Sequence, residues 1–92
     1  MNDTYDGSFA ADMSWIEGRL HWTQLEGGFW EIEFGDADAP HGGRLTLGRP
    51  EQLAGYNSGD VVRITGRVDD GALGIFMSGP VYLIDNSVSH LT

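Results

Sequence analysis

The stretch WIEGRLHWTQLEGGFWEIEF, residues 15–34, decides the fold. In its first half Ile16, Gly18, Leu20 and Trp22 alternate with Trp15, Glu17, Arg19, His21 and Thr23. Successive side chains of extended backbone point to opposite sides, so this period of two predicts a strand with one buried face. In the second half Trp30, Ile32 and Phe34 share a face, and residues 24–28 end in two glycines that suit a hairpin connection. The register can be tested against itself. With Thr23 opposite Phe29, Trp22 meets Trp30, Leu20 meets Ile32 and Gly18 meets Phe34, while on the other face His21 meets Glu31 and Arg19 meets Glu33. Apolar faces apolar and charge faces opposite charge, and a slip of one residue would destroy both matches. By this parity Trp22 and Trp30 are core residues.

Downstream, residues 35–43 form an acidic loop containing Gly and Pro, and residues 44–48 a short third strand with Leu45 and Leu47 inward. Pro50 just inside its start and Gly55 just past its end predict a helical turn or two. Residues 57–60 read as a turn. The fourth strand spans residues 61–68, with Val62, Ile64, Gly66 and Val68 on one face and Val61, Arg63, Thr65 and Arg67 on the other. Asp70-Gly71 signals a two-residue hairpin, which sets Val68 opposite Leu73, Gly66 opposite Ile75 and Ile64 opposite Met77. Ser78-Gly79-Pro80 should bend or bulge the fifth strand, because Pro cannot donate to a strand ladder. Residues 81–84 continue that strand with their facing left open, and Asn86 onward reads as tail.

Upstream there is no alternation. Tyr5, Phe9 and Met13 recur at a spacing of four behind a capping Ser8, which suits a short helix lying on the barrel or, equally, a loose arm. The expected organisation is an N-terminal arm (1–13), a barrel (14–86) and a C-terminal tail (87–92).

Composition narrows the function classes. Ninety-two residues make one domain. Without cysteine, disulfides and thiolate metal sites are excluded. No apolar run is long enough to span a bilayer as a helix, and the acidic start lacks the basic residues of a secretory signal, so a cytoplasmic location is expected. The net charge is −9, with five Arg and no Lys. Such a surface repels phosphate backbones and anionic membranes, whereas nucleic-acid binders gain most of their affinity by neutralising phosphates.

The order strand, strand, strand, short helix, strand, strand, with mid-strand glycines at Gly18 and Gly66, resembles the OB-fold, a five-stranded Greek-key barrel. A small barrel coils its strands sharply, and a missing side chain permits the bend; Phe34 opposite Gly18 would cover the gap. More narrowly, the chain is similar to small bacterial OB-like domains of uncharacterised function. These pair a glycine-rich turn and aromatic strand (here Gly27-Gly28-Phe29-Trp30) with a Gly-x-Val-Val-x-Val-x-Gly-x-Val strand, here residues 59–68 with Ile64 at the third apolar position. The likeness implies a fold and no activity.

Catalytic signatures are absent: there is neither a Gly-x-Ser-x-Gly elbow nor a phosphate-cradling Gly-x-x-x-x-Gly-Lys. His21, Glu31 and Glu33 read better as a cross-strand charge ladder than as acid/base machinery, and Glu17 should fall near Arg63 or Arg67. The loop bearing Asp36, Asp38 and His41 fails as a calcium loop, with Pro at a ligand position and Leu47 where Glu belongs. No metal, cofactor or catalytic residue is therefore expected. Outward aromatics remain: Trp15, Phe29 and Phe76, joined by Tyr5 and Phe9 of the arm, with Tyr56 and Tyr82 as further candidates. Interfaces favour aromatics and Arg over Lys, so these five residues predict a docking surface for another protein, on an accessory subunit of an assembly. Two alternatives stay open. One is a single-stranded nucleic acid or oligosaccharide held on the barrel face. The other is a role as acidic inhibitor, immunity factor or nucleic-acid mimic.

Overall fold

A computed structural model describes residues 7–24, 27–69 and 81–91. Its strands are β1 (Ser8–Phe9), β2 (Trp15–Thr23), β3 (Phe29–Glu33), β4 (Arg44–Gly48), β5 (Val61–Asp69) and β6 (Val81–His90), with short 3-10 helices at Pro40–Gly43 and Pro50–Leu53. The sheet runs β2-β3-β4-β6-β5 and closes on itself through a β2–β5 pairing. The β4–β6 pair is parallel and the other pairs are antiparallel. The molecule is thus an all-β, closed five-stranded barrel, compatible with an OB-type arrangement. Among the described residues no helix is long and apolar enough to cross a membrane.

The β2–β3 register is the one the alternation predicts, from Thr23 opposite Phe29 to Arg19 opposite Glu33. The expected Gly18–Phe34 pair is not part of it. Phe34 has left the ladder: its N–H donates to the Gly43 carbonyl at 2.8 Å and its carbonyl accepts from Gly7 N–H at 3.1 Å. β1 takes the vacated place beside β2, pairing Ser8 with Glu17 and Phe9 with Ile16. The described part of the N-terminal arm is therefore a strand joined to β2 by a tight turn, in which Met13 N–H donates to the Ala10 carbonyl at 2.8 Å. The helix suggested by the four-residue spacing does not form over these residues, because extended backbone here gains a partner edge that an isolated turn of helix lacks.

β6 departs most from expectation. Val68 lies opposite Tyr82, Gly66 opposite Ile84 and, across a bulge, Ile64 opposite Val88. The expected partners Leu73, Ile75 and Met77, like the Asp70-Gly71 turn and the Ser78-Gly79-Pro80 bend, lie outside the described residues. A turn dipeptide reports only local preference, whereas β6 must satisfy two neighbours. It also pairs with β4, Leu47 with Tyr82 and Gly48 with Leu83, and it brings two fully buried side chains, Tyr82 and Ile84, into the interior. The strand runs on to His90, so the tail expected from Asn86 is barrel wall.

The core is built from Ile16 and Leu20 of β2, Ile32 of β3, Leu45 and Leu47 of β4, Val62 and Ile64 of β5, and Tyr82 and Ile84 of β6, closed by Met13, Phe34 and Leu53. Leu53 comes from the 3-10 helix between β4 and β5, where a helical turn was predicted. That helix is held to β6 by Arg49 and Gln52, whose side chains donate to the Ile84 and Asp85 carbonyls. The two mid-strand glycines act through close approach. A Cβ on Gly18 would strike the Glu33 carbonyl oxygen, and one on Gly66 would strike that of Leu83. Neighbouring backbone fills the space, so no covering side chain is needed at Gly18.

Candidate functional site

The barrel wall is shorter than the β2–β3 hairpin. β5 pairs with β2 only from Trp15 to Arg19, and β4 pairs with β3 only from Glu31 to Glu33. Beyond Arg19, β2 is flanked by a loop instead of a strand. Leu20 N–H donates to the Asp60 carbonyl at 2.8 Å, Gly59 N–H donates to the Leu20 carbonyl at 2.7 Å, and Trp22 N–H donates to Ser58 Oγ at 3.0 Å. The last inward-facing pair of the hairpin, Trp22 and Trp30, consequently stands at the rim.

Trp22 is 42% exposed, which corrects its assignment to the core. Trp30 is half-buried and packs against the core cluster. Their ring centres lie 5.2 Å apart with the planes at 65°, an edge-to-face contact. Two further contacts fix the outer indole. Its Nε1–H donates to Gln24 Oε1 at 2.9 Å, and its six-membered ring lies directly on Gly28, where a Cβ would collide with it. Gly28 has a φ of +95°, a conformation side chains with a Cβ rarely adopt. The glycine pair before β3 thus both turns the chain and seats Trp22.

The residues chosen from sequence fare differently. Trp15 faces outward but is half-buried: the Arg63 guanidinium lies 4.4 Å from its ring centre, and Arg63, one of the two partners expected for Glu17, donates to Glu17 Oε2 at 3.1 Å. Phe29 is half-buried on the outer face. Phe9 packs on the barrel's own core, its ring edge-on to Phe34 at 5.4 Å. Tyr82 is fully buried, not outward, and Tyr56 is half-buried, donating its hydroxyl to the Val88 carbonyl at 3.0 Å. Tyr5 and Phe76 lie outside the described residues. The three described members of the predicted set, Trp15, Phe29 and Phe9, are thus each partly covered by the chain itself. The signal for Trp22 was present in the sequence. It is the last inward position before the hairpin loop, where parity points a side chain toward the interior but the interior has ended.

The charged outer face of β2-β3-β4 is a connected network. His21 Nε2 lies 2.9 Å from Glu33 Oε1, one residue pair diagonal to its register partner. Arg44 bridges Glu31 at 3.4 Å and Glu33 at 3.8 Å, and Thr23 donates to Glu31 at 3.3 Å. Glu33 is buried within this network. These contacts pair the carboxylates with each other's neighbours across a sheet face, as expected of a charge ladder. In the acidic loop, Asp36 Oδ1 accepts Asp38 N–H at 2.9 Å, an ordinary turn. Among the described residues no group of three or more His, Cys, Asp or Glu is placed to hold a metal ion.

Two titrating groups brace opposite ends of the molecule. Burial pushes the Tyr82 phenol up to about 12, and its hydroxyl donates to the Met13 carbonyl at 2.8 Å. At the rim, the Asn57 N–H and then His90 hold the Asp60 carboxyl below its ordinary value. His90 also stacks on Tyr56, ring centres 4.4 Å apart.

No family model matches the chain, and neither a curated protein nor a solved structure matches it significantly.

Proposed function

We propose that this domain is a non-catalytic protein-interaction module, an accessory subunit of a cytoplasmic assembly that docks through the rim of its barrel. One observation carries the reading: Trp22 is 42% exposed and its indole is held in place by Trp30, Gln24 and Gly28. An exposed tryptophan is the residue type most enriched at energetic centres of interfaces. One already immobilised loses little further freedom on binding. Phe9 is partly buried against the core, which supports reading the hairpin end as the docking surface.

The same ring favours one rival specifically, since a flat exposed indole stacks equally well on a sugar or a base. The charge of −9 weighs against the base, which arrives with phosphate. Affinity capture from the native cell extract at low and high salt, with wild type and Trp22→Ala side by side, separates these readings. A stoichiometric protein retained by wild type at high salt and lost with Trp22→Ala is the expected result. Recovery of nucleic acid or glycan in place of protein would overturn the reading.

A further inference from the structure

We propose that the corner between Trp22 and Trp30 receives the guanidinium of an arginine carried by a basic segment of the partner protein; this rests on the protein-interaction reading above. The chemistry on offer there is narrow. The Trp22 indole Nε1–H is spent on Gln24, so an incoming group meets aromatic carbon and not a free donor. A π face attracts cations through its quadrupole, and Arg more often than Lys, because a planar guanidinium stacks on it.

The molecule contains its own example of the pairing. At the other end of β2, Arg63 lies 4.4 Å over Trp15 and is steadied by Glu17. Trp15 is thereby brought to half-burial, whereas Trp22 stays open. The field around the open corner has the sign such a partner needs. The chain carries fourteen acidic residues against five Arg. Of those arginines, Arg44, Arg63 and Arg67 already lie against carboxylates of the chain, and Arg49 against the Ile84 carbonyl. The loop that bonds the Trp22 backbone adds Asp60 to the same rim, with its carboxyl held in the charged form. A basic segment is therefore steered toward this protein at long range and finds at the rim a rigid surface suited to one of its side chains.

The test uses a short peptide alternating Gly and Arg, its neutral twin with citrulline for Arg, and the neutral oligosaccharide cellohexaose. Each is titrated into the full chain while the tryptophan indole N–H resonances are followed by NMR. The Arg peptide should move the Trp22 and Trp30 signals. Trp22→Ala should weaken its binding about tenfold and Trp22→Phe by about threefold. Asp38→Asn, in the exposed loop before β4, should change it little. Added salt should slow association more than it speeds release. Equal binding of the citrulline peptide overturns the cationic occupant but leaves the interaction reading standing. Binding that ignores Trp22→Ala and falls with Asp38→Asn shows diffuse attraction, and overturns the corner as the site. If Trp22→Ala melts early, the wild-type spectra decide, and unmoved Trp22 and Trp30 signals overturn the proposal. Cellohexaose seated at the corner in place of the peptide removes this inference and the protein-interaction reading together.

Discussion

β2 carries a tryptophan at each end, and the two exchange the environments their parities assign. Trp15 points outward yet is covered, because the neighbouring β5 supplies Arg63 to lie over it. Trp22 points inward yet is exposed, because the strands that would enclose it stop short. Alternation tells which side of a sheet a residue faces. It does not tell whether anything stands on that side. Burial follows from the length of the neighbouring strands, which a single strand's pattern does not contain.

The contrast is sharpest between successive inward positions. Leu20 is fully buried opposite Ile32, and the next inward residue is Trp22. Leu20→Ala should therefore destabilise by about 3–4 kcal/mol in urea unfolding, the range for a core leucine leaving a cavity. A loss below about 1 kcal/mol would place the barrel's end one position earlier. The buried interior should also show itself in alkali. The Tyr82 phenol sits at about 12 in the fold against an ordinary 10.0. Folding thus favours its neutral form, and that contribution is complete below about pH 10 and lost as pH rises toward 12. Two units correspond to roughly 2–3 kcal/mol. Tyr82→Phe should flatten this alkaline loss while costing about 1 kcal/mol at neutral pH for the bond to Met13.

Effects at the rim should be smaller. Trp22→Ala should cost about 1 kcal/mol, the scale of its edge-to-face contact with Trp30. Its emission in Trp15→Phe/Trp30→Phe protein should be open to acrylamide quenching. A cost near that of Leu20→Ala would mean the rim is closed after all. Arg63→Ala should cost about 0.5 kcal/mol, less in high salt, and should raise quenching of Trp15, whose cover it removes. The last effect is one of direction. Asp60 titrates below its ordinary 3.8 because Asn57 and His90 favour its charged form. Its contribution is therefore present above that value and fades as pH falls through the lower folded one. Asp60→Asn should make the acid limb of a stability profile shallower than wild type.

What could be read in advance follows the range of the interactions. The β2–β3 hairpin was legible because its evidence is local and doubled: Leu20–Ile32 on one face and opposite charges on the other. The Glu17–Arg63 pair was legible from the barrel order. The partner of Val68 was not, since a strong turn signal at Asp70-Gly71 gives no hint that Tyr82 will fill both the β4 and the β5 contact. The bulge between Ile64 and Gly66 and the run to His90 were hidden for the same reason. In the candidate site, the edge-to-face pair was predicted as a pair, but its exposure depends on where β4 and β5 end. The role of Phe9 depended on Phe34 leaving its ladder, which opened a place for β1.

The parallel pairing of β4 with β6 sets the order in which the chain can assemble. β6 lies between β4 and β5, and it is the last strand in the sequence. During synthesis the β2–β3 hairpin can zip as soon as it leaves the ribosome, in microseconds once free. β4 and β5, by contrast, keep one raw edge each until residues 81–90 emerge to join them. Ring closure then waits on contacts far apart in sequence, such as Thr46 with Val81, which are slow to find. Exposed strand edges are where chains stick to one another. The nascent chain is therefore most vulnerable to aggregation in the interval before β6 emerges, and a chain interrupted within β6 would be locked in that state.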